Sequence, residues 1–147
     1  MIIDSLLEFS KKQNITASAL SDNVSCIFTE GSPNKEADIG NGEPVWLVVS
    51  LVGGGAAPTG KLSVELLTDT KSDMSTAQAI ATSGELDVAS VKAGQPLWAV
   101  RLPSAKYKKY IALRYKPNGA LANVIVNAFI TKDADANVAH ASGVTVL

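Results

Sequence analysis

The residues best spaced for chemistry lie in "VWLVVSLVGGGAAPTGKL", from Val45 to Leu62. Gly55, Gly60 and Lys61 fall there on the G-x-x-x-x-G-K spacing of a phosphate-binding loop, just after a hydrophobic run that reads as a strand. Such a loop works because backbone N–H groups and the N-terminus of the following helix converge on the anion, while a hydroxyl next to the lysine holds magnesium. Here the residue after Lys61 is Leu62, which has no hydroxyl. Beyond it, "KLSVELLT" alternates with period two and includes Val64, so a strand is predicted where the motif needs a helix. Gly53, Gly54 and Gly55 therefore read as a flexible connection between strands, with Pro58 and Gly60 closing the turn.

Other reactive groups are sparse. His140 is the only histidine and Cys26 the only cysteine, far apart in the chain, and nothing flanking either supports a nucleophilic dyad. A zinc site normally needs three or four His, Cys or carboxylate ligands. Asp69 and Asp73, in "TDTKSDMS", lack the dense alternating carboxylates of a calcium loop and read as a solvated turn. Glu65, Glu85 and Asp87 are scattered and suggest no acid and base pair. The expectation is a protein that is not an enzyme and carries no cofactor or metal.

"KYKKY", from Lys106 to Tyr110, mixes basic and aromatic side chains as nucleic-acid surfaces do. Only 5% of the chain is aromatic, however, and the sequence pI is about 5.8, so direct nucleic-acid binding is not expected. Trp46 and Trp98 have the chemistry to stack on sugars, but each sits within an apolar strand run and reads as core.

The elements that must position these residues are strands. Leu62, Val64 and Leu66 share one face against Ser63 and Glu65; Trp98, Val100 and Leu102 oppose Ala99 and Arg101. Ile111, Leu113 and Tyr115 oppose Tyr110, Ala112 and Arg114, and Val124, Val126, Ala128 and Ile130 oppose Asn123 and Asn127. Val45 to Leu51 is continuously apolar, as in a central strand covered on both faces. Five or six strands punctuated by Gly, Pro and Asn predict an antiparallel all-β sandwich or barrel. The polar segment from Thr29 to Pro44 is long for a loop inside a compact domain, a length often given to function. The strand-like end "VTVL" suits either an edge of its own sheet or a neighbouring chain.

A chain of 147 residues with 46% hydrophobic and 18% charged side chains suits a single folded domain, 1–147. Residues 1–9 and 132–147 are possible arms. One cysteine allows no intrachain disulfide. The start "MIIDSLLEFSKKQ" carries Asp4 and Glu8 where a secretory signal needs a basic start and an unbroken apolar run. No apolar stretch approaches the roughly 18 residues of a membrane helix, so a soluble protein made in the cytoplasm is expected, with no membrane partner.

The net charge of −1 hides an uneven distribution. Lys92, Arg101, Lys106, Lys108, Lys109, Arg114 and Lys116 lie between Val88 and Thr131 with no Asp or Glu among them. A field of one sign steers partners unless sheet pairing interleaves this region with the acidic remainder and cancels it.

The order of these signals resembles the capsid cement, or decoration, protein family of tailed bacteriophages, typified by the cement protein of a short-tailed Bordetella phage. The matching pieces are "MIID" followed by "FS", "QNITASALSDNV", "DIGNGEP", "ELLTDT", "IATSGELDVASVKAG", and "VRLP" with "YIALRYK" downstream. They cover most of the chain in order; Gly53 to Gly60 and the tail after Thr131 match less clearly. The resemblance implies a jelly-roll-like antiparallel sandwich with an extended N-terminal segment and a C-terminal tail. It also implies a virion protein on the capsid exterior that self-associates, as a homodimer or alternatively a trimer, and reinforces joints between subunits of the major capsid protein. The alternative reading is a glycan-binding jelly-roll module. Contacts to the capsid or a neighbouring copy are expected from extended ends, from the Thr29 to Pro44 loop and from charge: Ile2, Ile3, Leu6 and Phe9; Lys106, Lys108 and Lys109, facing an acidic surface; and Val144, Val146 and Leu147.

Overall fold

The computed structural model describes residues 5–27, 39, 44–52 and 57–132. Among them run a turn of 3-10 helix, Ser5–Leu7, and strands β1 (Glu8–Asn14), β2 (Ala19–Leu20), β3 (Ser25–Cys26), β4 (Trp46–Leu51), β5 (Thr59–Asp69), β6 (Gln78–Asp87), β7 (Pro96–Arg101), β8 (Tyr110–Ala122) and β9 (Ile125–Thr131). A second 3-10 turn, Val88–Ser90, follows β6 and is capped by the Asp87 carboxylate on Ala89 N.

Among the described residues every pairing is antiparallel, and the pairings nest. β1 pairs with β9, β2 and β3 with β8, β4 with β7, and β5 with β6. A long hairpin of this kind has one apolar side, and rolling it up hides that side against itself. The roll is closed by β4 against β9 and β5 against β8. Two sheets result, β1-β9-β4-β7 and β2-β8-β5-β6 with β3 also on β8. That alternation of strands between two sheets is the jelly-roll order.

Period-two patterning decides what lies between the sheets. Leu47 and Val49 of β4, Val126 and Ala128 of β9, Leu62, Val64 and Leu66 of β5, and Ile111, Leu113 and Tyr115 of β8 form one buried cluster. Tyr115 is wholly buried, and its hydroxyl is 2.7 Å from Ser10 Oγ. Ser10 donates its own proton to Gln13 Oε1, so the tyrosine is the donor to Ser10 and neither hydroxyl is orphaned. Burial moves the Tyr115 phenol up from its ordinary value.

One side of the sandwich is stitched shut. Asn23 N and Nδ2 donate to Phe9 O and Glu8 O, and Gln13 Nε2 donates to Leu20 O, so residues 20–23 occupy the outer edge of β1. The same segment reaches the other sheet through Ser21, whose N donates to Leu113 O and whose Oγ accepts from Leu113 N.

Three expectations change. Phe9 was expected as a contact residue on an arm, but β1 begins at Glu8 and the Phe9 ring is 0% exposed in the core. A register irregularity between Glu8 and Ser10 turns both Phe9 and Ser10 inward. Trp98 packs against the core as expected, whereas Trp46 lies on the outer face of its sheet, opposite Thr131 and Arg101 and half-buried. The strand count also exceeds the five or six expected, through β1, β2, β3 and β6. The expected tail lies outside the described residues beyond Lys132, as does the Thr29–Pro44 loop apart from Ile39 and Pro44.

Candidate functional site

The glycine-rich motif is resolved by β5, which runs unbroken from Thr59 to Asp69 and carries both Gly60 and Lys61; Gly55 lies outside the described residues. Gly60 has φ +104°, and a Cβ placed there would meet Ala120 O at 2.5 Å. The glycine thus serves a register irregularity between Thr59 and Lys61 where β5 closely approaches β8.

At the opposite end of β5, two wholly buried polar residues organise two loops. Thr68 Oγ1 donates to Tyr110 O at 3.1 Å and accepts from Lys108 N at 2.8 Å, which pins the segment leading into β8. Asp69 Oδ1 accepts from Thr70 N at 2.6 Å, Lys71 N at 3.3 Å and Thr76 Oγ1 at 2.7 Å, and Oδ2 accepts from Thr76 N at 2.7 Å. Burial alone would raise the Asp69 pKa; the hydrogen bonds from Thr76, Lys71 and Thr70 outweigh it and hold the carboxylate at about 2. Its lone pairs are committed to the 70–77 loop: the expected turn is there, but it is built on a wholly buried Asp69 carboxylate instead of a solvated one, while Asp73 is exposed. Among the described residues no three His, Cys, Asp or Glu side chains converge as a metal site.

The lysine segment is anchored from within. Tyr107 is 0% exposed, its hydroxyl donates to Pro103 O at 2.7 Å, and burial pushes its phenol up to about 12. A ring plugged into the core cannot stack on a base, which removes the aromatic half of the "KYKKY" pattern. Lys106 is exposed, while Lys108 and Lys109 are half-buried. The Lys109 ammonium lies 5.5 Å from the Tyr110 ring centroid. Lys71, which no sequence pattern singles out, joins this end because Asp69 is the cross-strand partner of Tyr110. Among the described residues no carboxylate lies within ion-pair distance of Lys71, Lys108 or Lys109.

The outward face of the β5–β8 sheet is different. Register sets Glu65 opposite Arg114, and Glu65 lies 3.3 Å from Arg114 Nε and 2.6 Å from Lys116 Nζ. Lys61 Nζ is 3.1 Å from Glu85, which also accepts from Asn118 Nδ2 at 3.0 Å. Interleaving therefore cancels the basic run at Arg114 and Lys116 and leaves it standing at Lys108 and Lys109.

Of the other expected contacts, Leu6 is 75% exposed on the 3-10 turn, and its carbonyl accepts from Ser25 Oγ at 2.7 Å. Ser25 pairs with Ile111 and Ile27 N donates to Lys109 O, so Leu6 stands at the same end of β8 as the lysine segment. Ile2, Ile3, Val144, Val146 and Leu147 lie outside the described residues.

The profile of the Bbp16 family matches residues 9–145, nearly the whole chain. The chain belongs to the Bbp16 family. Bbp16 is a phage-associated family, and membership supports a phage structural protein. Among curated proteins none matches this chain. The Bbp16 match takes in Lys71 and the whole lysine segment and begins after Leu6. No helix among the described residues is long and apolar enough to cross a membrane.

Proposed function

We propose that this Bbp16-family chain is a non-enzymatic cement protein that binds the outer surface of a phage capsid and stabilises contacts between major capsid protein subunits. The observation that carries this reading is the Bbp16 match over residues 9–145, on a jelly roll in which Gly60 of the glycine-rich motif serves strand geometry. Cementing is additive: each copy binds modestly, but many copies bridging neighbouring capsomers force several interfaces to break together. A specific interface needs on the order of 1,000 Å². The exposed Leu6 and the lysine segment at the same end of β8 would supply an apolar and a charged contact. Self-association as a homodimer, with a trimer as the alternative, would multiply those contacts. Glycan binding has less support, since Trp98 packs on the core and Trp46 is half-buried between Thr131 and Arg101.

The test is to mix purified protein with capsids of its phage that lack it, pellet them, and image the pellet. Added density on the capsid exterior is expected, with reduced occupancy for Leu6→Glu. Capsids that stay bare at micromolar protein would remove the proposal.

A further inference from the structure

We infer that the Lys71, Lys108 and Lys109 end of the sandwich is a docking surface for a carboxylate-rich protein segment, with Thr68 and Asp69 as its positioning residues. Three observations converge on it. The loops carrying these lysines are not adjacent in sequence, yet both are held by neighbouring buried polar residues at the end of β5, through Lys108 N on Thr68 Oγ1 and Lys71 N on Asp69 Oδ1. These lysines have no carboxylate within ion-pair distance among the described residues, whereas Lys61, Arg114 and Lys116 on the same sheet are each paired. The loop's exposed acid, Asp73, is turned to its own backbone by a 3.0 Å bond from Ser75 N, with its pKa lowered by the Ser75 hydrogen bonds and by the field of Lys71.

Ammonium groups are compact point charges that suit scattered carboxylates. A single-stranded nucleic acid would also call on open aromatic faces for its bases, and here Tyr107 is buried and Tyr110 has Lys109 over its ring. A loop fixed before binding loses little entropy on docking, which is what the buried threonine and aspartate provide. The biological partner rests on the cement reading, since an acidic patch on the capsid would be the surface met; the surface chemistry itself is testable without a capsid.

The probe is fluorescent poly-L-glutamate, with binding followed by anisotropy across a salt series. The triple variant K71A/K108A/K109A is expected to weaken binding about tenfold, with a shallower dependence on salt. K61A/K116A, on the paired face, is expected to change it by less than about twofold. Thr68→Val is expected to cost about threefold at low salt while the thermal transition stays cooperative. If Thr68→Val does not fold, the triple variant still decides, because none of its side chains is buried in the core. Equal binding by wild type and triple variant, or an equal loss in K61A/K116A, overturns the inference. Tighter binding of a dT oligonucleotide of matched charge, lost in the triple variant, overturns it in favour of nucleic acid. Bare capsids alongside intact polyglutamate binding would reject the cement reading and leave this surface standing.

Discussion

The outward face of the β5–β8 sheet and the loop end beyond it carry similar cations and treat them in opposite ways. On the face, strand register brings Glu65 and Glu85 to Arg114, Lys116 and Lys61, so each charge meets its opposite. At the loop end, the buried carboxylate of Asp69 is taken up by the Thr76 hydroxyl and backbone N–H groups, and Lys71, Lys108 and Lys109 have no carboxylate within ion-pair distance among the described residues. A charge run in sequence thus becomes a surface field only where no ladder forces it beside an acid. Strands neutralise by register, whereas loops neutralise only by specific design.

The strongest way to break this contrast is to disturb the register that creates it. Gly60→Ala puts a Cβ 2.5 Å from Ala120 O at φ +104°, and a loss of about 2–4 kcal/mol in urea unfolding is expected. Gly84→Ala is the companion measurement: φ is +67° there with nothing within 4 Å of the new atom, so about 1 kcal/mol is expected. Similar losses for the two would show that the close approach to β8 does not set the register.

A smaller effect is expected at the loop end and depends on pH. Asp69 titrates at about 2 when folded against an ordinary 3.8, so its stabilisation is present above 3.8 and disappears as pH falls through about 2. Asp69→Asn should lower the thermal midpoint at pH 7 and flatten the midpoint's fall between pH 4 and 2. An unchanged acid limb would mean the carboxylate does not hold the 70–77 loop.

The smallest effect sharpens the comparison from the other side. Glu65→Gln should cost less than about 1 kcal/mol, because the pairs it breaks are partly solvated. Yet it releases Arg114 and Lys116, and polyglutamate affinity should rise by about twofold as the face comes to resemble the loop end. No rise would indicate that the unpaired lysines owe their field to more than missing partners.

Strands β5, β7, β8 and β9 were legible because each has a buried face and an alternating pattern to record it, as in Leu62, Val64 and Leu66, and β4 because its run is apolar from Val45 to Leu51. β6 hides itself. Its sequence "QAIATSGELD" sits at a sheet edge with register irregularities opposite Ser63–Glu65 and Leu66–Leu67, so no single alternation survives along it. β1 reads as polar because its irregularities and the positive φ of Lys12, 52°, leave only Phe9 and Ser10 buried in "EFSKKQN". β2 and β3, at two residues each, are too short for any period. In the candidate site, Lys106, Lys108 and Lys109 were visible as a charge run. Lys71 was not, since only the pairing of Asp69 with Tyr110 brings its loop beside theirs. Phe9 misled because a residue near the start of a chain reads as an arm until its strand partner is known.

The pairing of β1 with β9 places Glu8 beside Phe129, so the two ends of the domain leave it at one corner. Tension applied between them would therefore unzip that ladder bond by bond from its mouth instead of shearing all its bonds at once. The cross-braces from Asn23 to Glu8 and Phe9 lie at that mouth, where such a load is first felt.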